Sequence, residues 1–132
     1  MQDRPTAREL LAAVRGFLEH DVVPTLDGPR RFHALVAANV LAIVDRELAG
    51  EEAALLAEWR RLAALLGGEG EEPPPRLDAL RVAVREGTTV LAERIRRGDA
   101  DGGPFRAAVS AHVRQTVGEK LQVANPRFGA SR

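Results

Sequence analysis

The sequence predicts an all-α fold: one domain over residues 1–132, a bundle of about five helices with an apolar helix over about residues 30–48 at its centre. Apolar residues recur at helical spacing along successive stretches, Gly/Pro clusters punctuate them, and the short connections favour up-and-down packing. At this length a single core is expected to bury roughly two thirds of the unfolded surface.

The first helix is expected to begin at Thr6, followed three residues later by Glu9, the reciprocal cap that satisfies two orphan backbone donors. Its apolar residues are Leu10, Leu11, Val14, Phe17 and Leu18, with Arg8, Arg15 and Glu19 toward water. Pro24 and the Gly28–Pro29 pair then interrupt the chain. The second helix should run from Pro29 or Arg30 to Leu48. Phe32, Leu35, Val36, Val40, Ile43, Val44 and Leu48 form its stripe, and Ala34, Ala37, Ala38, Leu41 and Ala42 make its other sides apolar too, so burial nearly all round is expected.

Gly50 is expected to close this helix, and "EEAALLAEWRRLAALL" to form a third with Ala54, Leu55, Trp59, Leu62 and Leu66 on one side. Residues 67–75, "GGEGEEPPP", read as an acidic, flexible linker within the domain. Beyond it, Leu77, Leu80, Val84, Thr88, Leu91 and Ile95 keep one register, and Gly87, Thr88 and Thr89 leave open whether this is one helix or two. "GDADGGP" is a turn. Phe105, Val109, Val113, Val117 and Leu121 define the last helix before "NPRF".

Composition narrows the function. Cysteine is absent, which removes thiol catalysis, disulfides and thiolate metal sites. Nineteen basic residues are interspersed with nineteen acidic ones, so no positive field is available for nucleic acid. "MQDRPTAREL" has an early acid and no apolar run, and nothing approaches a membrane span, so a cytoplasmic protein is expected. His20, His33 and His112 lie in no metal-binding frame, and "DADGG" lacks the later oxygen ligands of a calcium loop. Serine occurs only as Ser110 and Ser131, outside any nucleophile frame, and tyrosine is absent. Asp45 with Glu47 and Glu51 with Glu52 read as solvated charge rather than acid–base pairs. The residues therefore offer no catalytic, cofactor or metal set.

Asn39 is the one polar residue between Ala34 and Val44. Buried without partners, an amide costs on the order of 1–3 kcal/mol. Either it fixes helix register, as a buried Asn does in coiled coils, or it faces a ligand or partner together with His33 or Arg46. At the C-terminus Asn125 stops the last helix before proline, and Arg127 and Phe128 offer a charged fork and an aromatic anchor of the kind enriched at interfaces.

Three blocks, "DRPTARELLAAVRGFL", "RFHALVAANVLAIVDREL" and "KLQVANPRF", resemble the signature stretches of a small bacterial family built on a domain of unknown function. Members of that family are typically encoded beside an aminoglycoside-phosphotransferase-like kinase and an acyl-CoA dehydrogenase-like protein. The resemblance implies a helical accessory subunit without established catalytic residues. A similarly small protein accompanies such a kinase in the levulinate-type hydroxy-acid pathway.

Three functions are thus expected from the sequence: a non-catalytic partner of the kinase, a free-standing bundle binding CoA or a nucleotide, or a self-associating bundle. The candidate partner or ligand site comprises Arg4, His33, Asn39, Arg46, Asn125, Arg127 and Phe128, expected to gather at one end of the bundle.

Overall fold

A computed structural model describes residues 3–129. Among them the chain is all-α, with helices α1 (Ala7–Phe17), α2 (Gly28–Leu66), α3 (Leu77–Arg96), α4 (Gly103–Ala124) and the single turn α5 (Pro126–Gly129). A π-helical segment, Leu18–Val22, and a 3-10 turn, Val23–Thr25, lead from α1 toward α2.

Local chemistry sets most of these limits. The Glu9 N–H donates to Thr6 Oγ1 at 3.2 Å and the Thr6 N–H to Glu9 Oε2 at 2.6 Å, closing the expected capping box. Two helices end in a common motif. Gly67 (φ +87°) lets the Gly68 N–H reach Ala63 O at 2.8 Å, and Gly98 (φ +90°) lets the Asp99 N–H reach Arg94 O at 3.1 Å. The segment 76–97 holds one helix, Leu77–Arg96, rather than two, and within it the Thr88 and Thr89 hydroxyls donate back to Val84 O and Arg85 O.

Three expectations are corrected. Gly50 does not close the second helix: α2 runs through it for 39 residues. A glycine in a helix interior costs only about 1 kcal/mol, and here Ala49, Glu51, Glu52, Ala53 and Ala54 propagate the helix with no proline to stop it. The segment about 30–48 is not buried all round, because Phe32, Leu35, Val36, Val40, Val44 and Leu48 are exposed. The inward side of α4 is also not the row Val109, Val113, Val117. Val113 and Val117 are exposed, and it is His112 that joins Val109 in burial, because an inward face follows steps of three and four rather than fours alone.

The chain divides into two compact units, one taking in the sequence up to Gly50 with Val123–Asn125, the other Glu51–Gln122 with the residues from Pro126 onward. In the first unit Val23, Ala38 and Ala42 are buried, and Arg31 Nη1 donates to Val23 O at 3.0 Å, tying the 3-10 turn to the start of α2. In the second, Leu62, Val84, Leu91 and Val109 form the core, with Trp59 and Phe105 packed against it. Arg94 braces that core from the edge: its guanidinium carbon lies 4.2 Å from the Phe105 ring centroid, and Nη1 donates to Leu65 O at 3.2 Å.

Two glycines in helix interiors should respond differently to substitution. Nothing lies within 4 Å of a Cβ built on Gly50, so Gly50→Ala should raise stability by about 0.5–1 kcal/mol. A Cβ on Gly87 meets Leu62 Cδ1 at 3.4 Å, so Gly87→Ala should gain less or lose stability. Urea denaturation of the two variants beside the parent chain checks the difference.

Candidate functional site

The first unit presents two uncovered apolar rows. On α1, Leu10, Val14 and Phe17 share one side and are 47, 51 and 58 % exposed. On α2, Phe32, Val36, Val40, Val44 and Leu48 follow one another at intervals of four and are 41–63 % exposed. Two residues advance an α-helix by about 200°, so the buried Ala38 and Ala42 lie on the side of α2 opposite Val40 at the middle of this row. The helix buries its alanines and turns its branched and aromatic residues outward.

Asn39 belongs to the outward side and is exposed, as is His33. The expected buried amide is thereby corrected. Asn39 stands between Leu35 and Ile43 on the row beside Val40, and His33 stacks its ring at a tilt against Phe32, with centroids 5.9 Å apart. The remaining candidates of this unit divide. Arg4 is largely exposed and lies 3.6 Å from Glu9 Oε1, Asn125 is exposed, and Arg46 is half-buried with its Nε donating to Val123 O at 2.6 Å.

Arg46 is one half of a junction. Its neighbour Asp45 accepts two hydrogen bonds from Arg8, Nε to Oδ1 at 2.6 Å and Nη2 to Oδ2 at 3.1 Å. These bonds hold the Asp45 carboxyl below its ordinary range, against a desolvation that pushes the other way. Adjacent residues of α2 thus fasten α1 through Arg8 and the end of α4 through Val123. The three distinctive sequence blocks meet within this unit, at Asp45 and Arg46, two residues read from sequence respectively as solvated charge and as a candidate site. Arg127 and Phe128 belong to the other unit, where Phe128 is 62 % exposed.

The second unit holds a polar cluster that no sequence motif announced. Arg61 on α2 forks onto Glu119 on α4, Nη1 to Oε1 at 2.9 Å and Nη2 to Oε2 at 2.6 Å, and Nη2 also donates to Thr116 Oγ1 at 3.3 Å. Glu58 and His112 are each only 7 % exposed. Arg61 Nε and His112 Nδ1 are buried without a protein partner among the described residues. Desolvation, followed by the Arg61 charge, pushes His112 down from its ordinary 6.5, while Glu58 and Glu119 act in the opposite sense. Burial raises Glu119, but the hydrogen bonds from Arg61 and Gln115 and the Arg61 charge bring it below its ordinary range. One signal in the sequence was readable: Phe105, Val109, His112, Thr116 and Glu119 recur at steps of four, three, four and three.

An open cleft of about 300 Å³ lies beside Trp59 in the same unit, lined by Leu62, Leu66, Gly87, Glu71 and Glu86 among others. Its charged groups are carboxylates. Among the described residues no three His, Asp or Glu side chains could hold a metal, and no helix is long and apolar enough to cross a membrane.

Residues 24–128 match a family described as a domain of unknown function, DUF6285. The chain belongs to the DUF6285 family. No curated protein and no solved structure matches the chain. The DUF6285 region takes in the α2 row with His33 and Asn39, the Asp45–Arg46 junction, the Arg61–Glu119 cluster and the tail Asn125, Arg127 and Phe128. Arg4 and α1 precede it.

The Arg61–Glu119 fork in the second unit fastens α2 to α4. Glu119→Gln should destabilise it by about 1–3 kcal/mol, since it leaves a part-buried guanidinium under-paired. His112 contributes a pH dependence just below neutrality. Its folded value is below the unfolded 6.5, so the unfolded chain binds the extra proton, and stability present above pH 6.5 is lost as pH falls from there toward the lower folded value. Chemical denaturation at pH 7.5 and 5.5 should show this fall in the parent chain and a flatter response in His112→Gln.

Proposed function

We propose that this DUF6285 chain is a non-catalytic helical accessory subunit that docks, in the bacterial cytoplasm, on a phosphotransferase-like kinase of acyl-CoA or hydroxy-acid catabolism. The observation that carries the reading is the α1 row, Leu10, Val14 and Phe17, about half exposed on a helix with no buried residue of its own. Covering side chains already half buried yields roughly 1 kcal/mol each, which a free subunit forgoes and a complex recovers. Arg4, exposed just ahead of α1, brings charge suited to an interface rim. The identity of the partner rests on the resemblance of the three sequence blocks to a family encoded beside such kinases.

The cleft beside Trp59 lends no support to a CoA or nucleotide binder, because Glu71 and Glu86 oppose phosphate groups.

Co-expression with a phosphotransferase-like kinase of the kind the resemblance implies should give a complex that survives purification and a kinase activity that differs with and without the chain. The double variant Val14→Glu, Phe17→Glu should weaken that complex by about 100-fold, equivalent to about 2.7 kcal/mol, while the helical circular dichroism is retained. Absence of a complex together with unchanged kinase activity sinks the reading. Acyl-CoAs and nucleotides should leave the melting temperature of the isolated chain where it is.

A further inference from the structure

The α2 row has an internal symmetry that the α1 row lacks. Val40 stands at its middle. Val36 and Val44 lie four residues to either side, Phe32 and Leu48 eight to either side, and all five are exposed. His33 and Glu47 each lie seven residues from Val40, about two turns of helix, so both fall on the Val40 side, and both are exposed. The beginning of the row carries Arg30 and His33, its end Glu47, and among the described residues neither Arg30 nor Glu47 has an ion-pair partner.

We infer that this row is the contact between two copies of the chain, packed antiparallel about a two-fold axis at Val40. An isologous contact requires a surface complementary to itself, each residue meeting its mirror position in the other copy. The middle of the row meets that demand: Val36 falls opposite Val44, Val40 opposite itself, and the His33 ring opposite the Glu47 carboxylate, all within about 40° of the Val40 direction, while Phe32 and Leu48, about 80° to either side, lie at the margins of the contact. A parallel pairing sets Glu47 against Glu47. The charge pattern therefore selects both the partner and its direction.

Asn39 gains a role in this arrangement. It lies one residue from Val40, so the axis places the two Asn39 side chains on the same flank of the contact, one to either side of the axis. An amide carries both a donor and an acceptor, which makes it complementary to a second copy of itself.

This inference is independent of the kinase reading, which uses α1. The chain contains no cysteine, so a single introduced thiol is the only one present. Light scattering of the full chain at about 100 µM should give twice the 14.3 kDa chain mass, and Val40→Glu, checked for retained helicity, should raise the dimer Kd at least about 100-fold. Under mild oxidation Val40→Cys should form a disulfide-linked dimer. Val36→Cys and Val44→Cys should each cross-link poorly alone and efficiently when mixed, because the antiparallel register sets position 36 against position 44. Glu47→Lys should weaken the dimer, and the added change His33→Glu should restore it. A monomer at that concentration, or self-linking of Val36→Cys that exceeds linking in the mixture, overturns the proposal.

Discussion

The length of α2 is the constraint from which the rest of the molecule follows. A helix of 39 residues presents more side than the other helices of the chain cover, and its two halves answer that differently. The second half, from Glu51, places Leu62 in a core with residues of α3 and α4 and sets Arg61 into a fork with Glu119. The first half buries only a strip of small residues, Ala38 and Ala42, and leaves its branched and aromatic residues in water. Small residues on the buried strip allow close approach, and large ones on the open side raise the apolar area left to cover. The asymmetry has the form of a surface made for association.

Much of the backbone was legible because its signals are local. The Thr6–Glu9 box and the positive-φ glycines at 67 and 98 act over a few residues, and a single sequence contains all that they depend on. Gly50 was misread because a glycine stops a helix only when its flanks agree, and here they are alanine and glutamate. The exposed α2 row was misread for a deeper reason. Hydrophobic periodicity reports that a side of a helix is to be covered, and it is blind to whether its own chain or another molecule covers it. Asn39 looked costly only under the first assumption. On an exposed row its amide stays solvated until a partner arrives.

The Arg61, Glu119 and His112 cluster was illegible for the opposite reason. Arginine and glutamate are the ordinary residues of a solvated face, so each alone argued for exposure. What draws them inward is geometric. The side of α4 that packs inward is apolar at Phe105 and Val109 and polar at His112, Thr116 and Glu119, so continuing the helix inward commits it to burying charge. A bidentate arginine partly compensates that burial and fixes how α2 and α4 slide past one another, since a slipped register unpairs both guanidinium nitrogens at once. His112 Nδ1, buried without a protein partner among the described residues, is the residual cost, and burial of this ring makes the unit sensitive to acid where a wholly apolar seam would not be.

The same logic bears on why the open side of α2 is not purely apolar. Five exposed aliphatic and aromatic residues in a row would adhere to any apolar surface of similar curvature, and specificity requires that wrong partners be penalised as well as the right one rewarded. His33, Asn39 and Glu47 supply that penalty. Each stays hydrated in the free chain, and each is stranded by a partner that offers only hydrocarbon at its position. Under the two-fold pairing inferred above, the row turned end for end sets the His33 ring against the Glu47 carboxylate and leaves both Asn39 amides on one hydrated flank. The amide that seemed out of place in an apolar run is therefore consistent with its neighbours once the helix is seen from outside rather than from the core.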